Sequence, residues 1–197
     1  MDIFTDIADI FMDMENMGIA NNVSISLLAK YVGLTMLQRG ISVSPLKLQK
    51  ILYYIQSWHM VFFGRENTLV AEVPHAWVNG PVYPQIYREY KNCVPGMCDH
   101  LSPVHFGVDD TDKIPEVAGR IAEELAFSDD QIQLIDSVIK LYGAKTQNQL
   151  IFATHCEDPW CEMREGLRPY EKSDAEMSLD TMYRYYKDRY DRNRSKE

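Results

Sequence analysis

The 197-residue sequence lacks any apolar run close to the roughly 20 residues that a membrane-spanning helix needs. Its first residues are acidic, and no cationic stretch precedes an apolar one, which argues against a secretory signal peptide. Cysteine is also scarce, since four residues are too few for a disulfide framework in a chain of this length. We therefore expect a cytoplasmic protein whose thiols are reduced.

Basic residues are outnumbered by acidic ones. With 20 lysines and arginines against 29 aspartates and glutamates, the net charge of −9 disfavours general binding to phosphate backbones. Residues 1–29 contain acids and no base, residues 109–130 are again acidic, and residues 184–197 are basic. Such charge runs are typical of solvent-exposed faces. The alternative interpretation is that the acidic residues 109–130 bind a basic partner.

The common catalytic motifs are absent, namely the nucleophile elbow, the zinc-protease helix and the phosphate-binding loop. His155 has the side chain of a general base, but the sequence supplies no oriented partner or nucleophile for it. We interpret His155 as the end of a helix, with Trp160 packed beneath it. We therefore expect a protein that is not an enzyme and needs no cofactor.

Two cysteine pairs leave a structural zinc site open as an alternative. Cys93 and Cys98 are five residues apart, and Cys156 and Cys161 repeat that spacing. The spacing is looser than that of a zinc knuckle. Free cysteines are more commonly small apolar residues, so the main expectation is that no metal is bound.

Apolar residues recur with helical spacing over most of the chain. The clearest helix starts at Pro45 after the cap Ser44 and ends before Gly64. β-Branched and aromatic residues in 69–82 predict short strands or an extended loop, and Gly80-Pro81 predicts a turn that uses a positive φ. The predicted helices cover residues 3–17, 24–39, 45–63, 84–91, 115–125, 128–143, 146–158 and 178–191.

The expected fold class is mainly α: one helical domain with a small β hairpin or strand pair, preceded by an acidic helix. The predicted helical extension is residues 1–22, the domain is 23–191, and the basic tail is 192–197. Within the domain, residues 92–127 are interpreted as a long acidic insertion or loop region.

Three separate segments carry aromatic and turn-forming motifs: residues 46–59 (LKLQKILYYIQSWH), 76–84 (AWVNGPVYP) and 154–160 (THCEDPW). In this order and spacing they resemble the Panacea domain, known from SocA-like antitoxins and phage-associated proteins, over residues 24–190. The resemblance assigns structural roles to the motif residues Leu46, Gln49, Tyr54, Trp58, Gly80, Pro81, His155, Pro159 and Trp160.

The resemblance implies an antitoxin that neutralises a protein toxin, encoded by the adjacent gene, by binding it directly. A second implied route is an adaptor that delivers the bound toxin to a protease. Both need an exposed patch with aromatic anchors, which we expect to include Trp77, Tyr83 and Tyr87. Lys47 and Lys50 are three residues apart in the helix predicted for residues 45–63, on the face opposite its apolar stripe. We expect them to be solvated, or to contact carbonyls or an acidic patch of the partner.

A DNA-binding regulator is the alternative function. Residues 24–39 and 45–63 resemble a helix-turn-helix, but the second helix offers only Lys47, Gln49, Lys50 and Gln56 as polar readers of bases. Its aromatic content and the net charge weigh against this reading. Neither nucleic acid nor a membrane is therefore an expected partner, and the oligomeric state is left open.

Overall fold

A computed structural model describes residues 22–195, in which helices surround one small antiparallel sheet. The mainly α prediction is confirmed. The predicted acidic helix near the N-terminus lies outside the described residues, as does the end of the basic tail. The helices are α1 (Ile25–Gln38), α2 (Pro45–Phe63), α3 (Pro84–Tyr90), α4 (Ile114–Glu124), α5 (Asp129–Gly143), α6 (Gln147–His155), α7 (Asp158–Glu162) and α8 (Leu179–Arg194).

Side-chain caps start the helices where the sequence predicts them. A cap satisfies a backbone N–H that the first helical turn leaves without a partner. Ser24 and Ser44 each accept a hydrogen bond from the backbone N–H three residues further on. Two capping boxes are also formed, Ser128 with Gln131 and Thr146 with Gln149. None of the described helices combines the length and apolar character that a membrane crossing requires.

Helix α2 lies at the centre of the core, and nearly all of its 19 residues are buried. The ring of Tyr54 stacks on Tyr142 of α5, with centroids 3.8 Å apart. Trp58 meets Tyr186 of α8 edge to face at 5.2 Å, and its indole N–H donates to the Tyr142 hydroxyl at 3.1 Å. Tyrosines from α5 and α8 therefore fill the core beside the aromatic residues of α2.

The sheet is a hairpin of β1 (His75–Trp77) and β2 (Gly80–Val82). A third extended segment runs along the other edge of β1, where the Ala76 N–H donates to the Ala175 carbonyl at 2.9 Å. Gly80 has a φ of +92°, so the predicted positive-φ turn is confirmed. The short strands predicted within residues 69–82 are confirmed as well.

Residues 92–127 contribute to the core. Two 3₁₀ turns, Pro103–Phe106 and Thr111–Lys113, precede α4, which starts one residue before its predicted position. Helix α4 packs on α1 and buries Ile114, Ala118 and Ile121. Phe106 is buried against the backbone of Gly33, where an added Cβ would lie 2.3 Å from the ring. This region therefore forms one side of the domain, and its acidic side chains Glu116, Glu123 and Glu124 are exposed.

Candidate functional site

A cleft of about 660 Å³ opens between the β hairpin, α3 and the start of α2. The rings of Trp77 and Tyr87 form part of its wall and meet edge to face, with centroids 4.9 Å apart. Both side chains are half-buried. The remaining wall is apolar and the rim is polar, so the concavity resembles a binding surface for an apolar side chain. It is named the hairpin cleft and is also lined by Leu46, Val78, Val82, Met97, Lys172 and Asp174.

Asp174 fixes the ring of Trp77 at the mouth of the hairpin cleft. The indole N–H of Trp77 donates to Asp174 Oδ1 at 3.1 Å, and His75 Nδ1 lies 2.8 Å from the same oxygen. The hydrogen bond from Trp77, followed by that from His75, lowers the pKa of Asp174. Sequence reasoning missed Asp174 because 97 residues separate it from Trp77 and no motif includes it.

Polar side chains of α2 hold the backbone of the hairpin from behind. The ammonium of Lys50 donates to the Pro81 carbonyl at 2.9 Å. The amide of Gln49 accepts from the Tyr83 N–H at 2.8 Å and donates to the Tyr83 carbonyl at 3.4 Å. Lys50 is fully buried, and burial lowers its pKa to about 7. The predicted carbonyl contact of Lys50 is confirmed, and its predicted solvation is wrong because the side chain is fully buried behind the hairpin.

Burial also corrects the predicted partner-binding patch. Tyr83 is 1% exposed, and burial raises the pKa of its hydroxyl. Lys47 is 8% exposed and donates to the Gly143 carbonyl at 2.6 Å. Tyr83 and Lys50 therefore cannot contact a partner in this structure. Of the predicted patch, Trp77 and Tyr87 lie together at the surface, and their role in binding stays a prediction.

A buried carboxylate just before α7 links helices α2 and α8. Glu157 is 3% exposed and accepts hydrogen bonds from Tyr53, Tyr54 and Tyr186 at 3.1, 3.2 and 2.7 Å. Burial raises the pKa of Glu157 to about 7, against the opposing effects of Tyr186 and Arg189. The sequence signal for this cluster was the acid inside the third motif segment, but only the fold shows which hydroxyls reach it.

The third motif segment supports the hairpin from its other side. His155 ends α6 and stacks on Trp160, with centroids 3.9 Å apart and planes at 14°, so that prediction is confirmed. The indole N–H of Trp160 donates to the Trp77 carbonyl at 2.9 Å, and Arg164 donates to the Ala76 carbonyl at 3.1 Å. Burial, followed by the charges of Lys50 and Arg164, lowers the pKa of His155. These contacts make the hairpin a rigid wall of the cleft.

The cysteine residues do not assemble a metal site in the described part of the chain. Cys93 is half-buried, whereas Cys98, Cys156 and Cys161 are exposed, and all four are free. Within residues 22–195 no three histidine, cysteine, aspartate or glutamate side chains are grouped as metal ligands. The zinc alternative therefore has no ligand set there.

The helix-turn-helix reading is also corrected. Gln49 and Lys50 are bonded to the hairpin backbone, and Gln56 accepts from the N–H groups of Leu69 and Val70 at 3.0 and 3.2 Å. A recognition helix must present its polar side chains to a groove. Helix α2 is enclosed by other elements, so it cannot enter DNA without unfolding the domain.

Comparison with known families gives a match over the centre of the chain. The model of the family described as antitoxin SocA-like, Panacea domain, matches residues 48–161, which is more than half of the chain. No curated protein and no solved structure matches the chain. The matched span includes α2 from residue 48 onward, the hairpin, α3, α6 and most of α7. It therefore contains the hairpin wall of the cleft and the helices that hold the hairpin in place.

Proposed function

Because the chain belongs to the SocA-like antitoxin family with a Panacea domain, we propose that it neutralises a protein toxin by binding it in the hairpin cleft. The observation that carries the proposal is the pair of half-buried aromatic side chains, Trp77 and Tyr87, in an apolar concavity with a polar rim. Aromatic anchors in such surroundings supply much of the energy at protein interfaces.

Rigidity of the cleft wall supports the same proposal. Trp77 is held by Asp174 from the side and by Trp160 from behind, and Pro81 is held by Lys50. A surface that is already ordered loses little conformational entropy on binding, so more of the contact energy appears as affinity. The hairpin is therefore suited to receive a partner without rearrangement.

Inhibition in this proposal comes from binding, without catalysis by the antitoxin. Lys50 and Glu157 each have a pKa of about 7, which suits proton transfer near neutral pH. A catalytic acid or base must reach a substrate. Both groups are instead buried and hydrogen-bonded to the domain itself, which favours a structural role.

The test is co-expression with the protein encoded by the adjacent gene, followed by copurification and a growth assay. Tyr87→Ala is expected to weaken complex formation by about 30-fold or more, the effect of losing an interface hot spot of about 2 kcal/mol. Tyr170→Ala is the matched control, since Tyr170 is 88% exposed and lies outside the cleft lining. Growth rescue should follow binding. We expect Tyr170→Ala to rescue growth as the wild type does, and Tyr87→Ala to rescue it less.

Equal affinity of the Tyr87→Ala variant and the wild type, with unchanged thermal stability, would exclude the hairpin cleft as the binding surface. The abundance of the toxin in the same cells separates the two inhibitory routes. Occlusion leaves the toxin at its normal level, whereas delivery to a protease depletes it.

A further inference from the structure

A second concavity, of about 520 Å³, adjoins the hairpin cleft where α2 and α6 begin. Residues adjacent in sequence line different concavities. Leu46 and Met97 line the hairpin cleft, and the residues that follow them, Lys47 and Cys98, line the second pocket. The Leu46 N–H donates to the Met97 carbonyl at 3.0 Å, which joins the two segments into one continuous wall. The two concavities therefore lie on either side of this shared wall.

The charge of this pocket is opposite to that of the whole chain. Lys47 and Lys145 line it, and no acid occurs among its described lining residues, although the net charge of the chain is −9. Neither lysine takes part in an ion pair within residues 22–195. A neighbouring concavity differs, because its Arg39 pairs with Asp136 at 2.6 Å. The second concavity is named the cationic pocket.

Lys47 is the least exposed cation of the pocket. Its ammonium has three N–H donors, and one of them is used by the Gly143 carbonyl at 2.6 Å. Burial lowers the pKa of Lys47, and no acidic neighbour acts in the opposite direction. A carboxylate in the pocket would supply both a charged acceptor and the opposite charge, which makes the strongest kind of hydrogen bond for an ammonium.

The start of α6 contributes the same sign of potential. The cap Thr146 and the first helical residue, Gln147, both line the pocket, and a helix N-terminus carries a partial positive charge. The Ser44 hydroxyl donates to Gln147 Oε1 at 2.8 Å and fixes the two helix starts beside each other. A helix start alone attracts anions only weakly, but here it adds to a buried ammonium with donors to spare.

We propose that the cationic pocket binds a carboxylate of the protein partner, from an aspartate or glutamate a few residues away from the apolar side chain in the hairpin cleft. This rests on the proposed function, since it specifies the partner segment that the same surface selects. The segment combines an apolar anchor with a nearby acid. Apolar contact supplies affinity, and the carboxylate sets register and specificity.

The experiment is a peptide titration followed by NMR on the ¹⁵N-labelled full-length chain. The probe is acetyl-Leu-Gly-Gly-Glu-Glu-amide, added to about 10 mM at low salt and compared with the peptide that carries two glutamines instead. We expect the glutamate peptide to shift the resonances of both Trp77 and Lys145. We also expect it to bind about 5-fold or more tightly than the glutamine peptide, as one added charge contact of about 1 kcal/mol predicts.

Lys145→Gln tests the pocket without touching the core, because Lys145 is half-buried and makes no ion pair with the described residues. We expect this variant to lose the preference for glutamate. Lys140→Gln is the matched control, since it makes the same charge change at an exposed residue of α5 outside the pocket, and it should keep the preference.

The outcomes separate this inference from the function on which it rests. Shifts at Trp77 with equal affinity for the two peptides would overturn the carboxylate site and leave the hairpin cleft as the binding surface. A preference for glutamate that Lys145→Gln and Lys140→Gln reduce equally would reflect overall charge and also overturn the site. Titrations in which Trp77 does not move with either peptide would count against the cleft itself.

Discussion

Gly80 and Lys50 are in such close contact that a Cβ atom added to Gly80 would lie 2.8 Å from Cε of Lys50. The same added atom would lie 2.7 Å from Oγ1 of Thr154. One residue from each of the three motif segments therefore meets at this point. The spacing of the motifs along the chain reflects a single packing junction between α2, the hairpin and α6. The hairpin cleft is the outer side of that junction.

Gly80→Ala is expected to destabilise the domain by about 2–3 kcal/mol, because it combines a positive φ with a clash against two buried side chains. Gly40→Ala is the control, since Gly40 also has a positive φ, of +69°, but an added Cβ would meet nothing within 4 Å. That variant should lose only about 1 kcal/mol from backbone strain. Urea denaturation measures both, and equal losses would show that the junction tolerates a methyl group.

Glu157 makes the stability depend on pH below neutrality. Its pKa of about 7 in the folded protein exceeds its ordinary value of 4.5, so the folded protein holds a proton that the unfolded chain releases between these pH values. The free energy of unfolding therefore falls as pH rises through this window, by at most about 1.4 kcal/mol per pH unit from this group. Glu157→Gln removes that contribution.

Urea denaturation of the Glu157→Gln variant and the wild type at several pH values between 4.5 and 7 measures the effect. We expect a flatter dependence for the variant. Glu124→Gln is a suitable control, because Glu124 is exposed and makes no ion pair with the described residues. Parallel curves for Glu157→Gln and the wild type would mean that Glu157 is ionised throughout the window, held by its three tyrosine hydroxyls.

Lys50 has the opposite effect above neutrality. Its pKa of about 7 in the folded protein lies below the ordinary value of 10.5, so the unfolded chain binds a proton that the folded protein lacks between these values. The free energy of unfolding therefore rises with pH across this window. Lys50→Met is expected to remove the rise, while Lys140→Met, at an exposed lysine, keeps it. Urea denaturation between about pH 7 and 9.5, within this window, measures the change in the free energy of unfolding. A rise with pH that persists in Lys50→Met would contradict the prediction.

The helix boundaries were predictable because they depend on local chemistry. Ser44 caps a helix that opens with Pro45, and Thr146 caps one whose Gln149 completes a capping box. The enclosure of α2 was not predictable in the same way. A helical apolar stripe indicates one buried face, whereas the polar face of α2, including Lys50, is covered by a hairpin whose backbone satisfies it.

The candidate site was predicted in part. The density of aromatic residues next to the Gly80 turn indicated the region of the cleft, and Trp77 and Tyr87 do lie together there. Tyr83 lies on the same stretch but its side chain is buried in the core. Its orientation depends on how the backbone leaves the hairpin, which the aromatic density alone does not indicate. Asp174 depends on a contact between distant parts of the chain, and a single sequence carries no signal for such a contact.

The segment that borders β1 at Ala175 lies beyond residue 161, where the family match ends. Lys172 and Asp174 in this segment form one bank of the hairpin cleft. A fragment trimmed to the matched span would thus keep the hairpin and α3 but lose Leu46, Lys172 and Asp174, and with Asp174 the hydrogen bond that anchors the Trp77 ring. One side of the hairpin cleft is therefore set by sequence that lies outside the matched span.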